Sequence, residues 1–289
     1  ADPSGWCSVG KDEREVSLRH YPGLQLGPGQ SFDCMETVYG VAPPEQARPA
    51  FLSHLRGRMR RVVRGHDRPY AIFEPFGARA DGNFDESEAF LLDMIAKLGE
   101  SQRQTHCVFD FFMTDFWHDV RAELKDFERG RFPNGLTRIR QELDKLSVKP
   151  GLWIDSGGLP QWTIGDNPAI KPARMQVDGG GGVCRASEPA KTLYREGFLH
   201  QMSANGVRLL KFENLGWPTF FRPPVCDHPN HSHLAGVYST EAIHKSVIEF
   251  FHALDQENKD VFLMLYWGYF SPWWLLHADT LFDSGTRIE

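Results

Sequence analysis

An alternation restricts this chain more than any other feature. Short apolar runs recur from residue 70 onward, and amphipathic stretches of helical period separate most of them. The runs are Tyr70–Phe73, Thr105–Phe109, Pro150–Ile154, Val207–Phe212, Val261–Tyr266 and Thr280–Phe282. The helical stretches are Glu86–Leu98, Leu136–Leu146, Glu188–Ala204 and Thr240–Asn258. A further helical stretch, Phe51–Val63, precedes the first run and carries its arginines on a solvated face. Strands that are apolar throughout need cover on both faces. Alternation with helices supplies that cover and makes the sheet parallel. The expected fold is therefore α/β, a barrel of the TIM (β/α)₈ type, with strands one to six visible in this chain.

Residues 1–50 read differently. Tyr21-Pro22-Gly23 and Gly27-Pro28-Gly29 are turn signals, and Ser31–Tyr39 alternates polar and apolar side chains as a strand with one wet face does. This segment is expected to be the end of a β-rich, sandwich-like module, with the barrel occupying residues 51–289. The chain stops at Glu289, directly after a strand and loop, so the natural protein is expected to continue. An open six-stranded barrel would expose its edges. A C-terminal segment or a second chain is expected to complete it.

Composition excludes several classes of function. A net charge of −6 provides no basic field for nucleic acid or an anionic membrane. No apolar run approaches the roughly 20 residues of a membrane helix. The 5 cysteines are odd in number and form no CxxC, which rules out a dense disulfide scaffold. A Cys7–Cys34 bridge and two free thiols remain equally compatible with the sequence. Gly179–Gly182 is a flexible loop, since no phosphate-binding glycine motif frames it. The segment Cys226-Asp227-His228-Pro229-Asn230-His231-Ser232-His233 is dense in metal-ligand types, but its spacing matches no standard zinc signature. It reads as a polar active-site loop, and neither a metal nor a cofactor is expected.

Acids follow all but one of the apolar runs. Glu74, Asp110, Asp155, Glu213 and Asp283 stand at those ends, while the fifth run closes in Tyr266-Trp267-Gly268. In a (β/α)₈ barrel the C-terminal strand ends face one cup, where the active site lies. A single acid after a strand is ordinarily a helix N-cap, and Asp85 and Glu86 read that way. Acids on so many strands exceed what capping requires, because gathering them costs repulsion and desolvation. Cleavage of a glycosidic bond needs two carboxyls, about 5–5.5 Å apart for retention and about 6.5–9.5 Å for inversion. Glu213 and Asp283, two strands apart, are the expected nucleophile and general acid/base.

These segments resemble the catalytic barrel of the melibiase clan, the retaining α-galactosidases and α-N-acetylgalactosaminidases. Phe73-Glu74-Pro75-Phe76-Gly77 stands where that family's first strand ends. The run from Phe109-Asp110 through Asp115-Phe116-Trp117 resembles its "DDGW" segment, whose acids bind sugar hydroxyls. Val148–Asp155 is close to its "GLKFGLW" strand, and Leu210-Lys211-Phe212-Glu213-Asn214 resembles its "KWD" nucleophile strand. Ser271–Trp274 and Asp283-Ser284-Gly285 fall in the acid/base region. The resemblance implies a carbohydrate substrate. It implies sugar contacts from Glu74, Asp110, Asp115, Trp117, Trp153, Asp155, Lys211, Asn214, Trp217, Trp267, Trp274 and Asp279. Lys211 projects to the same side of its strand as Glu213 and is expected to steady that carboxylate.

Two positions depart from the pattern. Glu213 stands where the family has aspartate, and the paired acids of "DDGW" are interrupted, leaving Asp110 in direct alignment. Misplacing a reacting group by about 1 Å can cost about a hundredfold in rate. Two alternatives follow: a carbohydrate-binding barrel without turnover, and a metal-dependent hydrolase using Asp110, Asp155 and the histidines.

Overall fold

The computed structural model describes residues 7–9, 16–18, 20, 23–34, 36–66, 68–78, 86–119, 123–155, 183–213, 225–266 and 272–282. Strands β1 (Cys7–Val9) and β2 (Val16–Leu18) pair antiparallel. Helices α1 (Pro44–Arg56) and α2 (Arg60–Val63) lead into the alternating region. There follow β3 (Ile72–Phe73), α3 (Glu88–Thr105), β4 (Phe111–Thr114), α4 (Thr137–Lys145) and β5 (Lys149–Asp155). Then come α5 (Glu188–Ala204), β6 (Leu209–Glu213), α6 (Tyr238–Glu257), β7 (Phe262–Tyr266), a short 3-10 helix (Pro272–Leu276) and β8 (Thr280–Phe282). Strands β3 to β8 form one parallel six-stranded sheet in sequence order. The sheet curls into a half-barrel with helices outside it, the α/β barrel architecture expected from the alternation.

Pleat and register sort the side chains into two layers. Phe112, Leu152, Ile154, Leu210, Phe212, Leu263 and Leu265 pack outward with Leu91, Ile95, Phe198 and Phe251 of the helices. Each such fully buried side chain contributes about 1.5–3 kcal/mol. Phe111, Met113, Trp153, Leu209 and Phe262 fill the concave side, with Tyr70, Ile72 and Met264 beside them. The helices follow the same demand. In α3, Leu91, Ile95 and Leu98 recur at helical spacing on one buried stripe. Its start is set by Ser87, whose side chain accepts from the Phe90 N–H. Its end is set by His106 in the left-handed region at φ 59°.

Several expectations needed correction. The second strand is Phe111–Thr114, not Thr105–Phe109. Helix α3 continues through Thr105, and Val108 after it is 69% exposed, so the buried run starts at Phe111. The first helix begins at Pro44, a residue whose fixed φ suits a helical N-terminus. Among the described residues no strand occupies 31–39, where most side chains face water. Cys34 is an exposed free thiol. Arg60, assigned to a solvated face, is buried against Asp255, Asp279 and the Val261 carbonyl.

Candidate active site

The strand register brings one set of polar residues to the C-terminal ends of β3 to β7. Glu213 pairs in register with Asp155 on one side and Tyr266 on the other. One step lower, Lys211 pairs with Trp153 and Met264. Glu74 directly follows β3, and Asp115 directly follows β4. The side chains of Glu74, Asp115, Trp153, Lys211, Glu213 and Tyr266 converge. Lys211 Nζ donates to Glu74 Oε1 and lies 4.5 Å above the centre of the Tyr266 ring. Trp153 Nε1 donates to Glu213 Oε2 at 2.8 Å.

Burial sets the charges of this cluster. Asp115 is almost fully enclosed, and that burial pushes its carboxyl well above the ordinary range. Lys211 pulls it back, while Glu74 and Glu213 add to the rise. Burial also disfavours the Lys211 ammonium, but the charges of Asp115, Glu74 and Glu213 outweigh it and hold the group above its usual value. The Tyr266 phenol is likewise pushed up by burial. The arrangement thus holds a buried carboxyl raised above its ordinary range, a fixed ammonium and two further carboxyl groups within one concave surface. Such a set can accept from and donate to vicinal hydroxyls, and it can offer a carboxylate to an electrophilic carbon.

Pleat alternation carries Asp115 to the cup, on the same side as Phe111 and Met113. Phe116 has a positive φ of 48°, a costly conformation for a bulky residue. It breaks the strand alternation after Asp115, so Trp117 enters the outer layer. The Phe116 ring meets Trp153 edge-on at 5.0 Å. Beneath Asp115 sits Glu86, whose Oε2 accepts from the Asp115 N–H at 2.7 Å. Burial, reinforced by the Asp115 charge, pushes Glu86 up to about 9. Glu86 Oε1 and Asp115 Oδ1 are buried and have no hydrogen-bond partner among the described residues. Unsatisfied polar atoms at a cup are places where a polar ligand would be accommodated.

Other expected site residues lie elsewhere. Asp110 precedes β4, at the opposite end of the sheet, where it pairs with Arg68 and accepts from the Ala71 N–H. The acid that β4 brings to the cup is Asp115. Asp279 precedes β8 and is fully buried at that same far end. It binds Arg60, His66 and the Leu263 N–H. Trp117 donates through Nε1 to the Trp153 carbonyl at 2.7 Å and packs on Phe127 and Phe198. Trp274 packs in the outer layer against Trp273 and His244. Asn214, Trp217, Trp267 and Asp283 lie outside the described residues, as does the side chain of Asp155.

Sequence reasoning missed Glu86, Phe116 and Tyr266. Glu86 was assigned to capping, yet Ser87 is the cap and was legible as one. Tyr266 has the same pleat parity as Glu213 on the next strand, a signal that outranks the neighbouring Trp267.

No protein-family model matches the chain, and no curated protein sequence matches it significantly. Solved structures do. An α-galactosidase from Lactobacillus brevis superposes with a TM-score of 0.58 at 15% identity, covering 78% of this chain and 31% of that one. The GH36 α-galactosidase AgaA from Geobacillus stearothermophilus gives 0.54 at 13%, covering 76% and 31%. The fold is an α/β barrel like that of these α-galactosidases. The α-N-acetylgalactosaminidase NagBb from Bifidobacterium bifidum is also similar, with a TM-score of 0.50 at 12% identity and coverage of 76% and 40%. The chain therefore spans about a third of the length of the α-galactosidases it resembles.

Proposed function

We propose that this barrel hydrolyses an α-linked galactoside-like sugar through two carboxyl groups, with retention at the anomeric carbon. The observation that carries this reading is the convergence of Glu74, Asp115, Lys211 and Glu213 on the concave strand ends. The likeness of the fold to α-galactosidases supports it. Glu213 serves as nucleophile. Its carboxylate bonds to the anomeric carbon as the glycosidic bond breaks, and the leaving oxygen takes a proton from Asp283. Water then gives its proton to Asp283 and attacks the same carbon, which releases Glu213. The Trp153 N–H donates to Glu213 Oε2 and so orients the carboxylate. Asp115 and the Lys211–Glu74 pair bind sugar hydroxyls, and Asp155, Asn214, Trp217 and Trp267 complete the subsite.

A second reading, a sugar-binding barrel without turnover, draws on the same site. Glu213 occupies a position where the resembled family has aspartate, and its carboxylate is already held by Trp153. Hydrolysis of aryl α-galactosides separates the two. The proposal expects turnover whose first product is the α-anomer, and a loss of at least about a thousandfold in kcat for Glu213→Gln, equivalent to about 4 kcal/mol. Sugar binding with no turnover by the unsubstituted protein would establish the second reading.

A further inference from the structure

Away from the cup, four side chains with metal-ligating atoms meet at one point. Cys184 lies just before α5, and Cys226, His231 and His233 lie between β6 and α6. Their ligand atoms all lie within 4.8 Å of one another. Cys184 Sγ is 3.1 Å from His233 Nε2, and Cys226 Sγ is 3.3 Å from His231 Nδ1. A tetrahedral zinc ion with bonds of about 2.3 Å to sulfur and about 2.0–2.1 Å to nitrogen has edges of roughly 3.3–3.8 Å. The observed separations are close to that figure before any ion draws the ligands in.

The surroundings are built to hold these four in place. His233 directs Nδ1 at the Leu234 carbonyl, 2.9 Å away. That contact puts the proton on Nδ1 and leaves Nε2 as the lone-pair donor facing Cys184, the outer-shell arrangement of metal-bound imidazoles. The Cys184 carbonyl accepts from Ser187 Oγ at 2.7 Å, and the Cys226 N–H donates to Ser239 Oγ at 2.8 Å. His228 stacks on His231 at 4.2 Å. Both cysteines are fully buried beside Ala186 and Ile243.

We propose that Cys184, Cys226, His231 and His233 form a structural zinc site. Two thiols lose their protons to solvent, two neutral imidazoles contribute lone pairs, and the resulting centre carries no net charge, which suits its burial. Four protein ligands leave no open position, so the ion is structural rather than catalytic. Its place in the chain gives it a task. Cys184 lies near the end of the connection from β5 to α5, and Cys226, His231 and His233 lie within the connection from β6 to α6, the strands bearing Trp153 and Glu213. The ion would tie those two connections together, and the Leu234 N–H bonded to Gly23 O at 2.8 Å would extend the tie to the N-terminal segment.

Metal content tests this on the unsubstituted full chain. The expected result is one equivalent of zinc per chain after exposure to zinc and exhaustive dialysis. Cobalt substituted for zinc should give tetrahedral d–d bands together with thiolate charge-transfer absorption. Cys184→Ser and Cys226→Ser should each abolish the binding or cut the charge-transfer intensity to about half. Cys34→Ser and Cys107→Ser, at exposed thiols, should leave both unchanged. The cobalt spectrum of the unsubstituted chain decides the matter even where a ligand variant fails to fold. A chain that binds no zinc would overturn the proposal. So would octahedral cobalt without thiolate absorption, or a Cys184–Cys226 disulfide in the chain as isolated.

Discussion

Trp153 and Trp117 show how two similar residues take different work. Both indole N–H groups are buried and both donate a hydrogen bond. Trp153 donates to the Glu213 carboxylate at the cup, and Trp117 to a backbone carbonyl in the outer layer. A buried hydrogen bond to a charged group is worth about 1.5–3 kcal/mol. Trp153→Phe keeps most of the ring and removes the donor, so kcat on an aryl α-galactoside should fall about tenfold to a hundredfold with KM little changed. Trp117→Phe should lower the melting temperature and leave kcat intact. Equal effects of the two on kcat would refute the assigned role of Trp153. Glu86 gives a separate prediction. Burial and the Asp115 charge raise its folded pKa to about 9 from an ordinary 4.5. A raised folded value means that the native state keeps a proton that the unfolded chain releases. Its contribution is whole below the unfolded value and is lost as pH climbs towards about 9. Urea midpoints should therefore decline between about pH 5 and 9, and Glu86→Gln should flatten the decline. None of this was legible in the sequence. Glu86 looked like any acid before a helix, and only the fold puts it beneath Asp115.

At the scale of elements, the sequence carried most of the plan. Runs with no polar face announced parallel strands, and α5 was bounded at both ends as it is found. The error at β4 has a simple origin. Thr105–Phe109 and Phe111–Thr114 are adjacent and similarly apolar, and the length of α3 decides between them. That displacement moved the cup's acid from Asp110 to Asp115. Helix α5 also contains a packing constraint that propensity alone would misjudge. Alanine is favoured over glycine in a helix interior by about 1 kcal/mol. At Gly197, however, an added Cβ would overlap the Leu124 Cβ, with Leu124 backbone atoms only 3.2 Å away. Overpacking typically costs about 1–3 kcal/mol. Gly197→Ala is expected to lower the urea midpoint; a rise would mean that the loop carrying Leu124 yields freely.

For the whole molecule, the site is a property of the curl rather than of any segment. Glu74 and Lys211 are far apart in sequence, and only parallel strands wound in order bring them into contact. Position at strand ends made Glu74 and Glu213 readable as candidates, whereas the pairing of Lys211 with Glu74 depends on the tilt of the sheet. Asp279 and Arg60 belong to the other end, where they join α2, α6, β7 and β8 through buried charges. The half-barrel leaves β3 and β8 as its outer strands among the described residues. We propose that further chain or a second subunit covers them, because exposed parallel edges invite association. The proposed mechanism requires Glu213 to attack the sugar. Incubation with a fluorinated α-galactosyl substrate that forms a slow-turnover intermediate, followed by peptide mass mapping, tests it most directly. The expected result is a stoichiometric glycosyl label on Glu213. A label on another carboxylate, or turnover with no covalent intermediate and inversion at the anomeric carbon, would contradict it.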